Sequence, residues 1–137
     1  MNKGTIQTYI ISPEEEIYSG QSEMVVVPGE EGDFGAMYEH APLITYLRPG
    51  KIEVYKSDNK ESIIYFVTGG FVRVEGNKCQ IMVDYIKKIK DIDVKANEEK
   101  INFLLEKVEK VNDNLLKSDL LYEINLLKSE NSSAVES

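Results

Sequence analysis

The stretch FVRVEGNKCQIMVDY, residues 71–85, shows how the first part of the chain is built. Phe71 to Glu75 runs into Gly76-Asn77, a pair suited to a two-residue hairpin turn because glycine adopts backbone angles that other residues resist. Beyond the turn, Cys79, Ile81, Val83 and Tyr85 alternate with Lys78, Gln80, Met82 and Asp84. A period of two puts the first set on a buried strand face and the second on a wet one. The same pattern continues outward. Thr5 to Ile11 stops at Ser12-Pro13, Glu23 to Val27 at Pro28-Gly29, Lys51 to Lys56 at Ser57-Asp58-Asn59, and Ser62 to Thr68 at Gly69-Gly70. Short strands at this spacing predict an all-β sandwich or barrel. About 85 residues bury a little over 60% of their unfolded surface, enough for one core if both sheets turn a face inward.

The grammar changes near residue 90. All nine glycines lie at or before Gly76 and all four prolines at or before Pro49. From Asp91 onward the period lengthens to about three and a half. Ile101, Leu104, Leu105, Val108, Val111 and Leu115 share one stripe, and Leu116, Leu120, Leu121, Ile124 and Leu127 form a second. Asn112-Asp113-Asn114 between them fits a short connection, which predicts an antiparallel helical hairpin starting near Asn97; one continuous long helix is the alternative. The sequence thus divides into a sandwich over 1–88 and a hairpin over 89–137, with a frayed tail from about Glu130. Helices this short are marginal alone, so the pair is expected to lean on the sandwich or on a partner, and an exchange between two dockings is how a switch is built.

Charge excludes several functions. The 137 residues carry 24 acids against 16 bases, net −8, with 10 bases and 13 acids in residues 1–90 and 6 bases and 11 acids in residues 91–137. Such a chain repels phosphate backbones, so nucleic-acid binding is disfavoured, as is an anionic membrane surface. No apolar run reaches the roughly 20 residues of a membrane helix, and Met1 to Ser12 has a strand pattern in place of an export signal. Cys79 is the sole cysteine, which excludes an intrachain disulfide and a cysteine-built zinc site and suits a reducing compartment.

Catalytic groups are hard to assemble. His40 is the only imidazole and sits in Glu39-His40-Ala41-Pro42, a loop leading into a strand, where a surface-contact role is expected over catalysis. Cys79 falls on an apolar strand face and is expected to be a small buried hydrophobe. The glycines of residues 28–35, PGEEGDFG, lack the Lys-Ser or Lys-Thr of a phosphate loop and match no calcium-loop spacing; their three acids suit an exposed turn meeting a basic partner. Glu14-Glu15-Glu16 and Lys87-Lys88-Ile89-Lys90 are expected to be solvated runs, and the sequon Asn131-Ser132-Ser133 carries no meaning without export. On residues alone this is a binding part of a larger machine.

Five fragments in order then resemble one family: Gly32-Asp33-Phe34-Gly35, His40-Ala41-Pro42-Leu43, Arg48-Pro49-Gly50, Val67-Thr68-Gly69-Gly70-Phe71-Val72 and Asp91-Ile92-Asp93. Over nearly its whole length the chain resembles the epsilon-subunit family of bacterial F-type ATP synthases. The resemblance implies a sandwich of about ten strands, non-catalytic, bound to the gamma subunit and resting on the ring of c subunits. It also implies a C-terminal helix pair that packs on the sandwich in one state. In another the pair extends into the alpha/beta catalytic head and blocks ATP hydrolysis. The chain would then lie at the cytoplasmic face of the bacterial inner membrane, peripheral and not inserted. The family's c-ring contact maps onto Glu31, Asp33 and His40. Its inhibitory basic side chains map onto Lys100, Lys107, Lys110, Lys117 and Lys128. Met37-Tyr38-Glu39 departs from the usual turn before the histidine. In the stretch Ile92-Asp93-Val94-Lys95-Ala96-Asn97, Ala96 stands where ATP-binding members have arginine, so no cofactor is expected. The alternative from a different class is a free-standing small-ligand or nucleotide-binding sandwich with a helical lid.

Overall fold

The computed structural model describes residues 4–57 and 61–135, so Asp58 and Asn59 of one predicted turn, and the first three and last two residues, lie outside it. The chain divides into two compact units, Met1–Lys88 and Ile89–Ser137.

The first unit is a β-sandwich of nine strands among the described residues: β1 (Ile6–Ile11), β2 (Glu16–Gly29), β3 (Gly32–Met37), β4 (Leu43–Leu47), β5 (Gly50–Lys56), β6 (Ser62–Val67), β7 (Gly70–Glu75), β8 (Lys78–Val83) and β9 (Ile86–Lys88). Fourteen-residue β2 is shared by both layers. Its first half pairs with β1, which pairs in parallel with β8, followed by β7 and β4; its second half lies between β3 and β5, followed by β6 and β9. The register of β2 on β5 shifts between Ser22 and Met24, and a bulge of this kind bends a strand from one layer into the next. Counted once in each layer, β2 brings nine strands to the expected ten places. The β7–β8 hairpin forms as read, with Glu75 opposite Lys78 and Gly76 at φ +60° in the turn. Tyr85, expected to continue the β8 alternation, lies past the strand end and is exposed.

Ile6, Ile10, Val25, Val27, Ile52, Val54, Val67, Val72, Val74, Cys79 and Ile81 are among the side chains that fill the space between the layers. Burial pushes the Cys79 thiol up to about 12, which makes it an inert core group as its strand position predicts. Burial, and then the nearby Tyr18, raises the Tyr65 hydroxyl as well.

The second unit holds a short 3-10 turn (Ile89–Asp91), α1 (Val94–Lys110) and α2 (Asn114–Val135). The hairpin is real, and it starts three residues earlier than expected. The Asp93 carboxylate accepts from the Ala96 backbone N–H at 3.0 Å and caps α1; Asp113 does the same for Leu115 at 2.9 Å at the start of α2. Ile101, Leu104 and Ile124 form the buried contact, flanked by Val108, Leu120 and Leu127. Leu105, Leu115, Leu116 and Leu121 of the two predicted stripes remain exposed. The tail expected to fray from Glu130 is helical to Val135, with Glu130 and Ser133 buried. Its anchor is Asn131, whose side chain accepts from Asn97 Nδ2 at 2.9 Å and donates to the Val94 carbonyl at 3.2 Å.

Candidate functional site

The acidic turn read at residues 30–33 is the two-residue loop of the β2–β3 hairpin, with Gly29 opposite Gly32 and Glu30-Glu31 at its tip. The hairpin is tight: a Cβ on Gly29 would come within 2.8 Å of the Gly32 carbonyl oxygen. Glu30 donates its backbone N–H to the Tyr46 carbonyl at 2.8 Å, which joins the loop to β4. Arg48 Nη1 donates to the Gly29 carbonyl at 2.7 Å, and Nη2 pairs with the Asp33 carboxylate. Glu30, Glu31 and Asp33 are all exposed, and among the described residues Asp33 alone of the three has an ion-pair partner.

His40 is brought back toward the same strand. Its backbone N–H donates to the Met37 carbonyl at 3.0 Å, closing a turn that forces Glu39 to φ +64°. The Glu39 N–H is received by Asn77 Oδ1 at 3.2 Å, so the β7–β8 turn buttresses this loop. The His40 ring lies against Phe34, centroids 6.0 Å apart, next to Asp33 in sequence. His40 Nδ1 sits 2.6 Å from the Ala41 carbonyl, an oxygen that only accepts, so Nδ1 is the donor in this contact.

A second surface escaped the sequence reading. Across β4, β7, β8 and β1 the register aligns Tyr46, Phe71, Met82 and Ile11 in one row on the outward face, next to Ile44. Tyr46 and Ile44 are each 69% exposed. A contiguous apolar row on a small domain is the mark of a surface that another protein covers. The alternation of residues 78–85 carried the signal, since Met82 stands on the face expected to be wet.

Residues 5–89, the whole sandwich, match the family described as ATP synthase, Delta/Epsilon chain, beta-sandwich domain. The chain belongs to the ATP synthase delta/epsilon family. It is 38% identical over 92 residues to the ATP synthase epsilon chain of Halorhodospira halophila, covering 67% of this chain and 65% of that one. To epsilon chain 1 of Methylococcus capsulatus it is 40% identical over 95 residues, covering 69% and 67%. To the epsilon chain of Dichelobacter nodosus it is 36% identical over 105 residues, covering 77% and 70%. The matches thus span about two thirds of these relatives' lengths. Among solved structures, a chain of the Euglena gracilis mitochondrial ATP synthase superposes with a TM-score of 0.81 at 17% identity, over 98% of this chain and 82% of that one. A chain from the central stalk and c-ring structure of the Tetrahymena thermophila enzyme gives 0.61 at 19% identity, over 99% and 98%. At such identities these two speak for the fold.

In this epsilon-family chain the five hairpin lysines mapped above, Lys100, Lys107, Lys110, Lys117 and Lys128, are not equivalent. Lys100 Nζ lies 3.5 Å from Glu123 Oε1, tying α1 to α2, and Lys107 Nζ sits 4.8 Å over the Phe103 ring. Lys107 and Lys110 occupy the last turn of α1, where the carbonyl end of a helix favours cations. Lys110 and Lys128 are exposed and Lys117 is half-buried. No helix among the described residues is long and apolar enough to cross a membrane.

Proposed function

We propose that this chain is a non-catalytic subunit of the central stalk of a bacterial F-type ATP synthase. The observation that carries the reading is the family match over the entire sandwich, residues 5–89. On this reading the sandwich couples the gamma subunit to the c ring during proton-driven ATP synthesis. The outward row of exposed Tyr46, Phe71 and Met82 with half-buried Ile11 is the surface for gamma, because its apolar area calls for a partner that excludes water. The loop carrying Glu31 and Asp33, together with His40, meets the polar loops of the c ring, where negative charge selects a basic partner. The α1–α2 pair, held by three buried side chains, extends into the alpha/beta head in a second state and restrains ATP hydrolysis through Lys100, Lys107, Lys110, Lys117 and Lys128. Moving such an equilibrium from 1:99 to 99:1 takes about 5.5 kcal/mol of differential binding, within reach of several contacts acting together. The chain acts at the cytoplasmic face of the inner membrane as a peripheral component.

The test is the native mass of the catalytic head assembled with gamma, before and after this chain is added. The expected result is a gain of one 15.6 kDa copy that disappears when gamma is omitted. No gain at either low or near-physiological salt refutes the stalk assignment and leaves the sandwich as a binding domain of another kind. A variant ending at residue 90 then tests the helices: it is expected to bind as before and to raise ATP hydrolysis.

A further inference from the structure

Arg48 follows β4, just before the chain turns through Pro49 into β5, and three of its hydrogen bonds reach the β2–β3 hairpin. Its backbone N–H donates to the Pro28 carbonyl at 2.9 Å, Nη1 donates to the Gly29 carbonyl at 2.7 Å, and Nη2 pairs with Asp33. The loop Glu30-Glu31 is therefore gripped at the residue before it and at the second residue after it. A guanidinium is planar and offers its N–H groups in fixed directions, so holding a carbonyl and a carboxylate at once sets their relative position; an ammonium group of the same charge does not. The grip also sorts the acids. Asp33 spends its charge on Arg48, whereas Glu30 and Glu31 have no ion pair among the described residues.

We propose that Arg48 is a positioning residue for the stalk contact: bridging Gly29 and Asp33, it fixes the hairpin loop so that Glu30 and Glu31 present the charge that meets a basic partner, with Asp33 as its counter-ion. The inference rests on the function proposed above and narrows it. Three acids that look alike in sequence become two that touch and one that holds.

Two measurements on the full chain test it. The first is residue-resolved amide hydrogen exchange of the free chain, which needs no partner. Arg48→Lys keeps the charge and loses the fork, so exchange at Glu31 and Gly32 is expected to quicken about threefold or more, the scale of an exposed ion pair. Glu31→Gln is expected to leave exchange unchanged. The second is ATP-driven proton pumping by the synthase rebuilt with each variant, across a range of ionic strengths. Glu30→Gln with Glu31→Gln is expected to lower coupling and to flatten its salt dependence, because the screened charges are gone. Asp33→Asn is expected to lower coupling while the salt dependence persists. Unchanged exchange in Arg48→Lys overturns the positioning role. Flattening in Asp33→Asn equal to that in the glutamate variant overturns the division of labour. If the unaltered chain fails to restore coupling to a synthase lacking it, the stalk reading falls instead, and the exchange result alone decides whether Arg48 sets the loop.

Discussion

Replacing Ile124 by alanine should separate the two units of this protein energetically. Ile124 is 2% exposed and meets Ile101 and Leu104, the other fully packed side chains of the helix pair. Truncating a buried isoleucine costs about 2–5 kcal/mol, the transfer term plus the cavity left behind. Three apolar side chains at about 1.5–3 kcal/mol each are the pair's buried hydrophobic core among the described residues, so the loss is a large share of what holds it closed. Fifteen buried residues of the sandwich form a separate core cluster. Native-state hydrogen exchange reads both at once. Amides of Ile101–Val108 and Leu120–Leu127 are expected to lose about 30-fold protection or more, the equivalent of 2 kcal/mol, while those of β7 and β8 hold theirs. Leu105→Ala, on the predicted stripe of Ile101 and Leu104 but 41% exposed, is the control and is expected to change little. Equal loss in both units refutes the separation, and protection unchanged in the helices refutes the central place given to Ile124.

Three further predictions concern the sandwich. Ser22 is fully buried at the β2 bulge and its hydroxyl has no hydrogen-bond partner among the described residues, so Ser22→Ala is expected to stabilise by about 1 kcal/mol, read as a higher urea midpoint with an unchanged slope. Glu39 holds φ +64°, and Glu39→Gly is expected to relieve about 0.5–1 kcal/mol, measured as a higher melting temperature, since the backbone bond to Asn77 survives the change. Burial raises the Cys79 thiol from 9 to about 12, so the fold favours the protonated form; its contribution is complete below pH 9 and is lost as pH climbs toward 12. Denaturation of Cys79→Ala against the unaltered chain is expected to show a shallower fall in stability across that window, and an identical fall in both counts against the burial argument.

What the sequence disclosed follows from which signals are local. The β7–β8 hairpin is written in two adjacent residues, Gly76 and Asn77, flanked by alternating strands, and it folds as read. β3 is different: Gly32, Asp33 and Gly35 are poor strand formers, and the segment is extended because Val26 and Val27 of β2 pair with Gly35 and Phe34. The first half of β2 is polar for the same tertiary reason, being held by β1. The helical tail was illegible because Asn131 reads as part of a sequon, and its true partners, Asn97 and the Val94 carbonyl, lie more than thirty residues away. At the candidate site, the acidic turn and His40 stand out by composition. The Arg48–Asp33 bridge does not, because no periodicity relates a residue of the β4–β5 connection to one on β3 fifteen positions earlier.

The parallel pairing of β1 with β8 has a consequence for biosynthesis. Ile11 sits opposite Met82, so the first strand waits for one made 71 residues later. At about 5–20 residues per second this is a delay of roughly 4 to 14 seconds. During that time β1 can pair with the first half of β2, but its second edge has no neighbour and invites pairing with other nascent chains. Ribosomal pausing before residue 78 would prolong the exposure of that edge.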